Sequence, residues 1–241
     1  MKIATAIIPA RYHSTRFPGK ALAPILGKPM IQWVHEGASQ ARLIDRIIIA
    51  TDDERILKSA LGFGAEAVMT SARLRSGSER AAEVAQNLDN QLIVNIQGDE
   101  PLVRGKMIDL LVEELQDETA AMVSLMSKVN DISMIHDDHI VKVVVDEQGQ
   151  ALYFSRAPLP YQSPDFFYQH IGIYGYKKDF LLQFARMKPT RLERLEKLEQ
   201  LRALERGFKI KMIEIPFPTL SVDTPQDIIR VEEFLKKEKY G

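Results

Sequence analysis

Three cations, Arg11, Arg16 and Lys20, fall within one short span of AIIPARYHSTRFPGK, residues 6–20. The span leaves an apolar run through Pro9 and sets the cations among small and turn-forming residues. Ser14 and Thr15 can donate from their hydroxyls, and Gly19 admits backbone angles that other residues avoid. A strand ending in such a loop suits a polyphosphate. The spacing is neither that of a P-loop nor that of a dinucleotide fingerprint, and a solvated basic turn would use the same residues. Farther along, NIQGDEP places Gln97, Asp99 and Glu100 around Gly98 after an apolar run, and VDTPQD holds Asp223. Each aspartate has an ordinary reading, Asp99 as a turn residue and Asp223 as the N-cap of the last helix. As a pair at two strand ends they read as ligands for a hard cation such as Mg2+. The chain has no cysteine, so thiolate chemistry is excluded and any metal must be held by carboxylates or histidines.

These residues need a scaffold. At 241 residues, 45% hydrophobic and 27% charged, the chain can bury a substantial core as a single domain, 1–241. Its formal net charge of -1 argues against broad attraction to nucleic acid or to a membrane, so anion specificity must be local. The start, MKIATAIIPAR, is too short in its apolar part for a secretory segment or a membrane span. A cytoplasmic protein is the expectation.

IATAIIP, RIIIATDD, AEAVMT and QLIVNIQGDEP read as strands separated by amphipathic helices. Continuous Val/Ile-rich runs mark strands covered on both faces, which predicts an α/β fold with a mainly parallel, doubly wound sheet. In such sheets ligands collect beyond the carboxyl ends of the strands, where the basic loop, ATDDER and QGDEP all fall. The pattern changes near residues 138–176. There HIVKVVVDEQGQALYFSRAPLPY and HIGIYGY predict a hairpin and a further strand in a smaller β-rich lobe. PTRLERLEKLEQLRALERG predicts one helix, with Thr190 and Glu193 as a capping box, Gly207 as its stop and Leu192, Leu195, Leu198, Leu201 and Leu204 as its apolar stripe. A strand, FKIKMIEI, and a closing helix follow. SGSERAAE reads as a helix start with Ser78 as N-cap. His136 and His139 in MIHDDH read as a solvated turn, and Trp33 as a core or interface residue.

Taken in order, IPARYHSTRFPGKAL, GKPMIQWV, ATDDERI, SGSERAAE, VNIQGDEP, VKVVVDEQGQALYFSRAPLP, HIGIYGY, LEKLEQLRALERG and VDTPQD resemble the successive motifs of the 3-deoxy-manno-octulosonate (Kdo) cytidylyltransferase family. The resemblance runs from about residue 3 to the last helix. It implies a Rossmann-like nucleotidyltransferase fold, CTP and Kdo as substrates, a Mg2+ cofactor, and attack of the anomeric 2-hydroxyl of Kdo on the α-phosphate, giving CMP-Kdo and pyrophosphate for lipopolysaccharide synthesis. By the same resemblance Arg11, Ser14 and Lys20 contact the triphosphate, while Asp99 and Asp223 hold the metal. Ser76, Gly77 and Ser78 approach the cytosine. Arg16, Gln97, Arg156, His170, Tyr174, Glu199 and Gln200 face the sugar acid, with Arg156 able to meet its carboxylate in a two-pronged fork. A homodimer is also implied. Leu74 and Ser78 depart from the histidine and threonine that many members carry. The same reaction on 8-amino-Kdo or another sugar acid, and a non-catalytic nucleotide-binding regulator, are the alternatives.

Overall fold

The run ATAIIPA is buried along its whole length and forms strand β1 (Ala4–Ala10), as a strand covered on both faces should be. The computed structural model describes residues 3–13, 17–163, 165–217 and 219–240; Ser14 and Arg16 lie outside the described residues. After a short ribbon of β2 (Pro24–Ile25) and β3 (Lys28–Pro29), helix and strand alternate through α1 (Met30–Ala38), β4 (Ile44–Thr51), α2 (Glu54–Gly62), β5 (Glu66–Met69), α3 (Gly77–Ala85), β6 (Leu92–Ile96) and α4 (Gly105–Glu114). The chain continues through β7 (Met122–Val129), β8 (Lys142–Val145), β9 (Ala151–Ser155), β10 (Phe167–Lys177), α5 (Lys178–Arg186), α6 (Arg191–Glu196), α7 (Leu201–Leu204), β11 (Lys211–Glu214) and α8 (Pro225–Tyr240). It forms two compact units, Met1–Asp109 with Thr219–Gly241, and Leu110–Pro218. The boundary falls inside α4.

In the first unit the strands lie in the order β6-β1-β4-β5, and every adjacent pair is parallel. Right-handed crossovers put α1 and α2 on one face and α3 on the other. Side-chain contacts agree: Gly77 of α3 lies against Pro9, whereas Ile31 of α1 approaches Gly98 beside Ala10, and successive strand residues point to opposite faces. The chain winds outward from β1 to β5, then returns to the far side of β1 as β6. That reversal makes the carboxyl ends of β1 and β6 the switch point at which such sheets bind ligands. Beneath it Ile25, Met30, Leu102, Val222 and Val231 form a core cluster against which Trp33 packs. The Trp33 indole N–H donates to the Ile25 carbonyl at 2.8 Å, so its polar edge is satisfied within the core.

In the second unit β11 runs parallel to β7, and β7 runs antiparallel to β10. The expected hairpin is β8–β9, joined to β10 through β8; the stretch 138–176 lies within this unit. Strand β7 has no counterpart among the predicted strands. Its serines Ser124 and Ser127 are buried with its apolar residues, which blurs the alternation that would mark it.

The helix predicted over residues 190–207 is instead two, α6 and α7. Lys197 takes a left-handed conformation with φ 57° and ends the first. Glu193 accepts from the Thr190 N–H at 3.0 Å as predicted, but its salt-bridge partner is the buried Arg202. The break turns Leu198 and Gln200 inward and leaves Leu195 67% exposed, so the unbroken leucine stripe does not form. Among the described residues no helix is long and apolar enough to cross a membrane.

Candidate active site

At the carboxyl ends of β1 and β6 a cavity of about 230 Å³ is lined by Arg11, Lys20, Ser76, Gly77, Gln97, Asp99 and Asp223, all in the first unit. Leu74, Arg75 and Arg80 line it as well. The loop after β1 is shaped by Gly19, whose φ of 75° is open to glycine at little cost. The Gly19 N–H donates to the Tyr12 carbonyl at 2.7 Å, and a single helical turn, residues 20–22, then sends Lys20 into the cavity.

The Lys20 ammonium donates to the Asp99 carboxylate, to the Val222 carbonyl at 3.0 Å and to Asp223 Oδ1 at 3.4 Å. A backbone bond from the Val222 N–H to the Asp99 carbonyl, 2.9 Å, ties the two acidic loops together. Helix α8 starts at Pro225, which puts Thr224 rather than Asp223 at the N-cap position, and Asp227 accepts from the Thr224 N–H at 2.8 Å and from the Asp223 N–H at 3.1 Å. Asp227 supplies the local contact that orders the start of α8, and the Asp223 carboxylate turns to Lys20. Two carboxylates and a carbonyl around one positive charge form an oxygen-only donor set, which fits a hard divalent ion. Glu100 is buried beside them. Burial, with Asp99 adding to it and Lys20 opposing, pushes its carboxyl up to about 8.

The N-cap of α3 is Ser76, two residues earlier than predicted. Its extended backbone lets its hydroxyl accept from the Glu79 N–H at 3.2 Å. Ser78 is buried within the helix. Gly77 brings the helix close to the sheet, since a Cβ there would come within 3.0 Å of the Gln97 side chain and 3.2 Å of Pro9. Arg80, not singled out in the sequence, is buried and pairs with Asp52 at 2.9 Å. Only the fold reveals this role, because Asp52 follows β4 and is 28 residues distant.

The remaining sugar-side candidates lie in the second unit. Arg156 is held through both backbone and side chain: its N–H donates to Glu196 Oε2 at 3.0 Å, Nε to the Glu196 carbonyl at 3.2 Å and Nη1 to the Asp138 carbonyl at 2.7 Å. Lys142, wholly buried, donates to the carbonyls of Asp137, Ile140 and Arg156 at 2.8, 2.7 and 2.6 Å. His170 and Tyr174 are ring neighbours with centroids 5.4 Å apart. Burial raises the Tyr174 phenol, with Tyr176 and then Glu199 adding to the shift, so it remains a donor. The amide Nε2 of Gln200 is buried without a hydrogen-bond partner.

His170 is held by Ser124. That buried hydroxyl lies 2.9 Å from the Ile173 carbonyl and 3.2 Å from the Ile171 carbonyl, where the β7–β10 register shifts. His170 Nε2 lies 3.1 Å from the same hydroxyl, so Ser124 anchors one ring nitrogen whichever of the two carries the proton. Burial pushes the imidazole down from 6.5 to about 3. Below pH 6.5 the unfolded chain binds a proton that the folded chain refuses, so this contribution to stability is full above 6.5 and fades toward pH 3. Between pH 7 and pH 5 the parent protein is expected to lose about 2 kcal/mol more unfolding free energy than His170→Gln. Denaturant titrations at the two pH values check this, and equal losses would count against a neutral buried ring.

The acidic turn around His139 is solvated. Asp137, Asp138 and His139 are all exposed, and Asp137 accepts from the His139 N–H at 2.8 Å, an ordinary use of aspartate in a turn.

Comparison with known proteins adds an independent line. A family model described as cytidylyltransferase matches residues 5–212. The 3-deoxy-manno-octulosonate cytidylyltransferase of Geotalea uraniireducens is 49% identical over 252 residues, covering 98% of this chain and 100% of that protein. The enzyme of the same name from Syntrophotalea carbinolica is 50% identical over 245 residues, 96% of this chain and 98% of its own length. Among solved structures, a CMP:2-keto-3-deoxy-manno-octonic acid synthetase complexed with CTP superposes with a TM-score of 0.91 at 36% identity, covering 98% of this chain and 99% of that one. A glucose-1-phosphate thymidylyltransferase from Bacillus anthracis, at 18% identity and a TM-score of 0.68 over 96% of this chain and 94% of its own, shares the fold.

Proposed function

The chain belongs to the cytidylyltransferase family, and on that premise we propose that it transfers CMP from CTP to the anomeric 2-hydroxyl of Kdo. The products are CMP-Kdo and pyrophosphate. The observation that carries this is the meeting of Lys20, Asp99 and Asp223 at the switch point of the first unit, in a chain aligned nearly end to end with enzymes of that name.

The sugar hydroxyl oxygen attacks the α-phosphorus, and the bond from that phosphorus to the bridging oxygen of the β-phosphate breaks. No covalent enzyme intermediate is required, so the protein's task is to place two anions in line and offset their charge. Arg11 and Lys20, with Ser14, meet the triphosphate. Asp99 and Asp223 hold Mg2+, which when bound offsets phosphate charge and makes the sugar hydroxyl more acidic. Ser76, Gly77 and Ser78 flank the cytosine. On the sugar side Arg156 meets the carboxylate, with Arg16 and Gln97 near the same substrate. His170 meets a hydroxyl, Tyr174 donates, and the unpartnered Gln200 amide gains the acceptor it lacks. Glu199 completes this side. His170 cannot serve as a cation for the carboxylate, which leaves that work to arginine. The protein acts as a cytoplasmic homodimer that feeds lipopolysaccharide synthesis, and light scattering at working concentration tests the dimer.

Pyrophosphate release from CTP and Mg2+ should be followed with Kdo, 8-amino-Kdo, N-acetylneuraminate and no acid. Release with Kdo well above every other arm is the expected result. Preference for 8-amino-Kdo would keep the reaction and change the acceptor. Silence with every acid, in folded protein that binds CTP, would leave a nucleotide-binding regulator.

A further inference from the structure

An ammonium has three donors and no acceptor. In Lys20 these face Asp99, the Val222 carbonyl and Asp223, all within hydrogen-bonding distance. The side chain is only 16% exposed. In this arrangement its donors are directed into the protein, and one oxygen of each carboxylate that a divalent ion would need is engaged with a positive charge. A phosphate can recruit Lys20 only by drawing the ammonium off the aspartates, and a divalent ion can take up both aspartates only after the same displacement.

We infer that Lys20 is a resident cation that occupies the Asp99–Asp223 site in the nucleotide-free protein and yields it when a polyphosphate draws the ammonium away. This rests on the reading of Asp99 and Asp223 as metal ligands and adds an order to it. Free protein binds divalent ions poorly, and nucleotide and metal each raise the other's affinity by the same factor, as linkage demands. The device also keeps two neighbouring carboxylates from repelling one another while the site awaits substrate.

The test has a sign that a merely damaged site would not give. Mn2+ binding to full-length protein, followed by the electron paramagnetic resonance of the free ion, should be weak in the parent without CTP. In Lys20→Met without CTP it should be about tenfold tighter or more, because the competing charge is gone, even though that variant loses turnover. Equal or weaker Mn2+ binding in Lys20→Met would overturn the inference. If Lys20→Met does not fold in metal-free buffer, Mg2+ should restore its folded circular dichroism and cooperative melt, and failure of millimolar Mg2+ to do so would also overturn it. Asp99→Asn and Asp223→Asn separate the two layers. If they bind Mn2+ in the presence of CTP no less tightly than the parent, beyond what CTP binds by itself, the metal-site reading fails. If the aspartates are required yet Lys20→Met gains no affinity, only the displacement role of Lys20 fails.

Discussion

Asp99→Asn should lower turnover by about 10²–10³-fold while the protein stays folded. An amide keeps the size of the carboxylate and removes the charge that would hold a divalent ion at the reacting phosphate, a loss comparable to removing one fixed electrostatic group from a transition state. Stability should change little. The side chain is 28% exposed and its ion pair with Lys20 is correspondingly screened, and Asp223 still faces the ammonium, so the difference should stay within about 1 kcal/mol. Asp223→Asn should behave alike, because its contact to Lys20 is the longer of the two and Asp227 bonds the backbone at the start of α8. Pyrophosphate release beside a thermal melt makes the comparison. Near-normal turnover in either variant would remove the aspartates from the mechanism, and a large loss of melting temperature would make them structural.

Lys142→Met should cost about 2–4 kcal/mol, because the carbonyls of Asp137, Ile140 and Arg156 lose a shared charged donor in a site with little access to water. Methionine follows a similar path through the packing but donates nothing. The effect should extend to chemistry, since one of those carbonyls belongs to Arg156. KM for the sugar acid should rise by roughly tenfold while KM for CTP stays put, because misplacing a substrate-positioning group weakens binding on its own side of the reaction. Denaturant unfolding and paired KM measurements check the two halves. A stability change below about 0.5 kcal/mol, in the range of an ordinary surface substitution, would show that the carbonyls find other donors. Equal rises in both KM values would point to general loosening.

Much of this arrangement is legible in the residues alone, and what escapes has identifiable causes. Strands β1, β4 and β6 announce themselves as short apolar runs ending in polar loops, and Arg11, Lys20 and Asp99 of the cavity are the conspicuous charges in the loops after β1 and β6. What linear reading left undecided at Asp223 is decided by where the helix begins: α8 starts at Pro225, one residue too late for Asp223 to cap it. The N-cap of α3 fell to Ser76 rather than Ser78, a choice between two serines that local composition does not make. Strand β7 escaped because its buried serines interrupt the apolar pattern. The break at Lys197 carries no glycine to mark it. It is held instead by contacts between α6 and α7, among them the buried Arg202 paired with Glu193 nine residues away, a spacing that one continuous helix would place on opposite faces. Arg80 and Lys142 were passed over for a related reason: a buried cation looks like a surface one until its partners are known.

The division of the chain at α4 and again after residue 218 bears on how such a protein can diversify. The CTP-side candidates and both proposed metal ligands lie outside Leu110–Pro218, whereas Arg156, His170, Tyr174, Glu199 and Gln200 lie within it. On the proposed roles, substitutions that alter the choice of nucleotide and most of those that alter the choice of acceptor fall in different stretches of the chain, so either choice can be varied by design while the other stretch is left untouched.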